Sequence, residues 1–216
     1  MQIENEDIPD IDTAVFTDFE SAKHRIKAKL INADLNEDYL ADKPHTIIVD
    51  DLVAVYLIEF CEGESETMSA TITNSVLGAY GITVEELHQI AINNMTDDAY
   101  ITGMGSLLSE SGLLEYDDRD KETLFVLTNT SMSNGAAVIL SNKAMDSVID
   151  RIGKDFYALP SSVHEWILVP DSPSISAEKL VKMVKEVNST HVAPHDVLAN
   201  HVYKYDQKNH QLKSAV

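Results

Sequence analysis

One cysteine, Cys61, stands in 216 residues, so no disulfide framework can form within the chain and a reducing compartment is expected. A lone thiol after an apolar run reads as a core or rim residue before it reads as a nucleophile. Long apolar runs are missing as well: none approaches the roughly 20 residues that a membrane-spanning helix needs. The opening segment, MQIENEDIPDIDT, is acidic and has neither the basic nor the apolar region of a secretory signal. The expected address is therefore the cytoplasm. Basic residues are scarce: 16 Lys and Arg stand against 36 Asp and Glu, a net charge of −20. The deficit is uneven. Residues 1–119 hold 25 acids and 6 bases, whereas residues 120–216 hold 11 and 10. A polyanionic first half repels nucleic acid and anionic membrane and suits a basic protein as partner. Solubility is the plainer consequence of the same charge.

Apolar content of 44% over this length is enough for one domain with a real core, or for two small ones. The most regular stretch is 124–170. Apolar runs at Leu124–Leu127 and Ala136–Leu140 flank Asn134-Gly135, a pair that accepts positive φ and reads as a hairpin turn. Asn142 can cap a following helix, on which Ala144, Val148 and Ile152 share a face, and Gly153 sits where the helix should stop. Phe156–Leu159 and Val163–Val169 read as strands split by Pro160-Ser161-Ser162. In the second, Val163, Glu165, Ile167 and Val169 face one way and His164, Trp166 and Leu168 the other. The expected fold class is α+β: an antiparallel sheet with helices packed on one face. The C-terminal lobe runs β-β-α-β-β-α-β and follows a smaller α+β lobe. The expected divisions are an acidic tail (1–17), an N-terminal lobe (18–95), a linker (96–120), the C-terminal lobe (121–206) and a frayed tail (207–216).

Along the first lobe, Phe19, Ala22, Ile26 and Leu30 predict a helix from Asp18, with Lys23, Arg25, Lys27 and Lys29 as a solvated or internally paired basic face. One helical turn is expected around Tyr39-Leu40. The runs IIV and LVAVYLIEF between His45 and Phe60 predict buried strands, although nine residues also suit a buried helix. Asp50-Asp51 between them reads as a turn before it reads as a metal or acid–base pair. Met68–Thr73 suits an edge strand, and Ser75–Tyr80 a helix ending at Gly81. Thr83 and Glu86 form a capping box that opens a helix to about Met95, with His88 at the rim of its apolar side. GMGSLLSESG superficially resembles a phosphate loop but lacks the lysine, and it reads as linker with a short helix at Leu107-Leu108. Further on, Ser176 caps a helix over Ala177–Val187, with Leu180, Val181, Val184 and Val187 inward. Pro194 suits the first turn of a short helix over His195–Ala199, His201–Tyr205 reads as a last strand, and Asp206–Val216 as a polar tail that frays.

Candidate chemistry is sparse. Ser161-Ser162-Val163-His164-Glu165 is the densest polar constellation, and Ser162 and His164 would share a strand face. A serine nucleophile needs a base in reach and a group that orients the base. Side chains at i and i+2 run parallel, and no nucleophile elbow is present, so a hairpin with a polar rim is the plainer reading. Ser162, His164 and Glu165 are the catalytic candidates; Ser161, Ser162, His164 and Asn129 are the binding candidates. His191, His195 and His201 invite a zinc reading, but Pro194 breaks the helix that would align the first two and no cysteine is near. Neither a metal nor a cofactor is expected. Tyr203 and Tyr205 suit stacking on a base, which the acidity of the chain opposes.

The segments LFVLTN, NGAAVIL, GKDFYALPSSVHEWILVPD, VKEVNSTHVAP and VLANHVYKYD resemble a bacterial family of unknown function known mainly from gut Firmicutes, domain-of-unknown-function family 5688. The likeness continues back through KPHTIIVDDLVAVYLIEF and GITVEELHQIAINNM. It implies a cytosolic α+β protein without an assigned activity or cofactor, and it carries over no functional residue. The leading expectation is a non-enzymatic, acidic interaction or regulatory protein. One alternative is a hydrolase or small-ligand binder using Ser162 and His164. Another is an acidic mimic of nucleic acid.

Overall fold

The computed structural model describes residues 13–62, 67–106 and 123–216. Residues 1–12 of the acidic tail, the Leu107-Leu108 helix and the Cys61 side chain lie outside the described residues. The first sheet is built on β3 (Leu52–Glu62), flanked on one side by β1 (Ile26–Asn32) and on the other by β2 (His45–Val49) along its first half and β4 (Thr67–Thr71) along its second, each paired antiparallel with β3 itself. The apolar run in β3 is a strand buried on both faces. Leu52, Ala54, Tyr56 and Ile58 enter the main core, whereas Val53 and Val55 meet Ile31 and Leu40 in a smaller cluster. Leu40 comes from α2 (Glu37–Leu40), the single helical turn expected there.

The helix predicted from Asp18 is mostly wrong. Only α1 (Phe19–Ala22) and a 3-10 turn at Lys23–Arg25 are helical, and the chain is extended from Ile26. Ile26, Ala28 and Leu30 are buried while Lys27 and Lys29 are only partly so, a period of two. The basic residues are internally paired in part: Lys27 lies 3.2 Å from Glu59 and 2.6 Å from Asp98. α3 (Asn74–Tyr80) stops at Gly81 in the left-handed conformation, φ 66°. α4 (Val84–Asn94) opens on the expected capping box, with Thr83 and Glu86 each accepting from the other's backbone N–H. Leu87, Ala91 and Met95 are buried against the first sheet.

Among the described residues the second sheet has six antiparallel strands in the order β10 (Gln211–Ser214), β9 (Tyr203–Asp206), β7 (Phe156–Ser162), β8 (Glu165–Pro170), β6 (Phe125–Asn129), β5 (Ala99–Gly103). β5 (Ala99–Gly103) pairs with β6 (Phe125–Asn129), so residues expected in a linker form its edge. The expected order β-β-α-β-β-α-β is met broadly, with a 3-10 helix in place of its second strand. The run 136–140 is not a strand. Gly135–Leu140 is a buried 3-10 helix that Asn134 enters with φ 53°. Asn134 does take the positive φ anticipated for it, but it directs the chain into the core rather than around a hairpin.

α5 (Asn142–Ile152) is capped by Ser141, one residue before the Asn142 expected, and ends at Gly153 with φ 74°. β7 (Phe156–Ser162) and β8 (Glu165–Pro170) form a hairpin whose turn is Val163-His164, not Pro160–Ser162. Pro160 is tolerated within β7 because the ladder to β9 (Tyr203–Asp206) pairs only Tyr157 and Ala158, and a bulge follows it.

α6 (Ala177–Thr190) covers one face of this sheet, where Leu180, Val181 and Val184 meet Leu159, Ile167 and Val169. Val187, expected inward, is 41% exposed, and Asn188 is buried in its place. The other face carries Phe156, Trp166, Leu168 and Tyr203 into the core that it shares with α5 and the first sheet. Residues 207–216 are not frayed throughout: β10 (Gln211–Ser214) pairs with β9. No helix among the described residues is long and apolar enough to cross a membrane.

Candidate functional site

The β7–β8 turn, the loop before the 3-10 helix and the Pro194–Asp196 turn meet at one corner. Ser162 is the last residue of β7, opposite Glu165, and its Oγ accepts from the backbone N–H of His164 at 3.1 Å. Ser161 Oγ donates to Glu165 Oε1 at 3.0 Å. The His164 ring accepts the Asn134 backbone N–H at Nδ1 (3.0 Å), and its Nε2 lies 3.5 Å from Asp196 Oδ1. An Nδ1 that accepts an amide places the proton of the neutral ring on Nε2, toward the carboxylate. Both ring nitrogens are thus occupied by partners other than a serine.

Asn129 closes its own loop: its Oδ1 accepts from the Ser133 N–H at 3.1 Å and its Nδ2 donates to the Ser133 carbonyl at 2.8 Å. Thr128 Oγ1 donates to the His164 carbonyl at 2.8 Å. The structure therefore gathers Ser161, Ser162, His164, Glu165 and Asn129 at one corner. It hydrogen-bonds the Ser162 hydroxyl to the backbone of His164 and not to its ring. The arrangement pins three chain segments together.

A polar seam continues from this corner along the end of the first sheet. The other oxygen of Asp196 lies 3.5 Å from His195 Nε2. Lys29 of β1 is partly buried; burial lowers the pKa of its ammonium, against the opposing pull of Asp196. Asn32, 3% exposed, donates from Nδ2 to Asp51 Oδ2 at 2.6 Å and to the Leu198 carbonyl at 3.3 Å. Asp51 Oδ1 lies 3.5 Å from His201 Nε2. The buried hydroxyl of Tyr203 has no hydrogen-bond partner among the described residues. Burial, reinforced by the charges of Asp51 and Asp50, pushes its pKa well above the usual phenol range.

Asp50-Asp51 does form the turn expected between β2 and β3, and it brings Asp51 to a histidine. His191 stays apart, its Nδ1 2.5 Å from Thr190 Oγ1. Among the described residues no group of three or more His, Cys, Asp or Glu side chains is placed to hold a metal ion. What the seam offers chemically is carboxylate–imidazole pairing. Each of His164, His195 and His201 faces an aspartate. Sequence reasoning missed Lys29, Asn32 and Thr128. Their partners lie far along the chain, and Asn32 looks like an ordinary strand terminus.

A family model described as a family of unknown function (DUF5688) matches residues 1–207. No curated protein and no solved structure matches the chain.

Proposed function

Starting from a chain that belongs to this family of unknown function, we propose that the protein acts by binding a basic protein through its acidic first half, and not by catalysis. The observation that carries this reading is where the cations of that half are engaged. Lys23 pairs with Glu20 at 2.5 Å, Lys27 with Glu59 and Asp98, and Lys43 with Asp42. The surplus carboxylates gain no such neutralisation: Asp34, Glu37, Asp38 and Glu85 stand exposed and have no ion pair among the described residues. A surface of one sign steers a partner of the other and sets the association rate. The polar corner supports the non-catalytic part of the reading, because the ring nitrogens of His164 are engaged by Asn134 and Asp196. The cytoplasm, rich in basic nucleic-acid-binding proteins, is the compartment in which such a surface would work.

The test is affinity capture from cell extract with the wild-type chain and with an Asp34→Asn, Glu37→Gln, Asp38→Asn, Glu85→Gln variant. The expected outcome is a basic protein held at about 0.05 M salt, released by about 0.5 M salt where screening is strong, and lost from the variant. A partner held equally at both salt levels and by both proteins would overturn the charge reading. Turnover of a substrate that is abolished by Ser162→Ala would favour a hydrolase centred on Ser162 and His164.

A further inference from the structure

A cleft of about 380 Å³ lies between the first sheet and the β9–β10 hairpin. Ile47 and Ile48 of β2, Ile92 of α4, Ile139 of the 3-10 helix and Leu212 of β10 form its apolar walls. Thr46 and Gln211 supply polar points, as do two histidines, His88 and His210. Each is held at Nδ1 by a tyrosine hydroxyl: His88 by Tyr56 at 3.0 Å, and His210 by Tyr205 at 3.4 Å. His210 Nε2 lies 3.7 Å from Asp146.

The Tyr56 hydroxyl sits between His88 Nδ1 and Thr46 Oγ1, the latter at 2.5 Å. Where Thr46 donates to Tyr56, Tyr56 donates to His88 Nδ1 and the ring proton resides on Nε2, which has no partner among the described residues. Burial lowers the His88 pKa, which keeps the ring neutral near pH 7. Burial also raises the Tyr56 pKa to about 12, with the Glu85 charge adding, so this hydroxyl stays protonated. In that arrangement the cleft presents the neutral Nε2–H of His88 beside aliphatic side chains and the polar groups of Thr46, His210 and Gln211. With Glu85 close by and a net charge of −20, an anionic ligand is disfavoured.

We propose that this cleft binds a small uncharged molecule with an apolar body and a carbonyl-type acceptor, which the Nε2–H of His88 engages. The volume falls within the usual range for a small-molecule site, and His88 supplies the placed polar group by which such sites orient a ligand. This site is independent of the acidic surface argued above. Either can fail without the other.

The test uses the full chain labelled with 13C at isoleucine methyls, because four isoleucines line the cleft, with N-butylacetamide as probe and butyrate and butylamine as charged counterparts. Saturable shifts of the Ile48, Ile92 and Ile139 methyls with the amide, and none with butyrate or butylamine at equal concentration, are expected. His88→Phe should weaken amide binding about fivefold, a single hydrogen bond's contribution. A long-range 15N–1H spectrum of the wild-type imidazole should show His88 protonated at Nε2. If His88→Phe fails to fold, this spectrum and the movement of its Nε2 signal with added amide decide the matter. Absence of saturable methyl shifts, equal binding of butyrate, or an Nδ1–H tautomer would overturn the proposal.

Discussion

A β-carbon on Gly135 would lie 2.3 Å from Thr128 Oγ1, 2.5 Å from the Asn129 backbone N and 2.7 Å from the His164 carbonyl oxygen. Two of these three are backbone atoms, which cannot swing aside as a side chain can. The glycine is thus required by close approach and not by its φ. Its place is where β6, the 3-10 helix and the β7–β8 turn are drawn together by the Thr128–His164 and Asn134–His164 hydrogen bonds. Gly135→Ala is expected to lower stability by about 2–3 kcal/mol, the usual cost of overpacking a filled interior. Urea unfolding followed by Trp166 fluorescence measures it. Trp166 is the only tryptophan of the chain, is 0% exposed, and donates from Nε1 to the Ala136 carbonyl at 2.7 Å, so it reports on the same junction. A loss below about 0.5 kcal/mol, ordinary for a neutral surface change, would show that the junction yields easily.

Elements whose signals are local were legible in the sequence. The helix at Val84 needs only Thr83, Glu86 and an apolar stripe, all within one window, and its start is as expected. The helix before Gly153 is found to within one residue for the same reason. The segment 26–32 was not legible as a strand, because Ile26 and Leu30 are four apart. That spacing satisfies a helical face and a strand face alike, and pairing with β3 decided between them. The run 135–140 carries strand-like residues, yet its buried position against both sheets selects a 3-10 helix.

The β9–β10 hairpin was missed because its turn is held by one carboxylate. Asp206 accepts from the Lys208 and Asn209 N–H groups, each at 3.1 Å, from Asn209 Nδ2 at 2.9 Å and from Lys213 Nζ at 2.5 Å. Those hydrogen bonds hold its carboxyl well below the usual carboxylate range. Asp206→Ala is expected to free the hairpin tip. Amide hydrogens of 211–214 should then exchange at least tenfold faster, while those of β7 and β8 keep their protection. Unchanged exchange at 211–214 would assign the hairpin to its strand pairing alone. The polar seam lay beyond sequence reasoning for a related cause. Its defining hydrogen bond, Asn32 to Leu198, spans 166 residues, and no short-range pattern records such a contact.

At the scale of the whole molecule, charge and core divide the chain differently. Charge separates residues 1–119 from 120–216, as −19 and −1. Packing does not follow that division. Leu30, Tyr56, Leu87 and Met95 from the first part share one buried cluster with Leu127, Met145, Trp166 and Tyr203 from the second. A face of the first sheet that is buried only by the second would be bare without it, and exposing it costs about 25 cal/mol for each Å² of apolar surface. Unfolding should therefore be a single transition. Far-UV circular dichroism, which averages over both sheets, and Trp166 fluorescence, which reports from one strand of the second, should give the same urea midpoint within about 0.2 M. Separate midpoints would mean that the two halves hold their cores independently and that the N-terminal lobe begun at residue 18 is a unit of folding. A shared midpoint would mean that the acidic half is presented on a rigid body held by the neutral half, the arrangement a charged docking surface needs in order to meet its partner without an added cost of ordering.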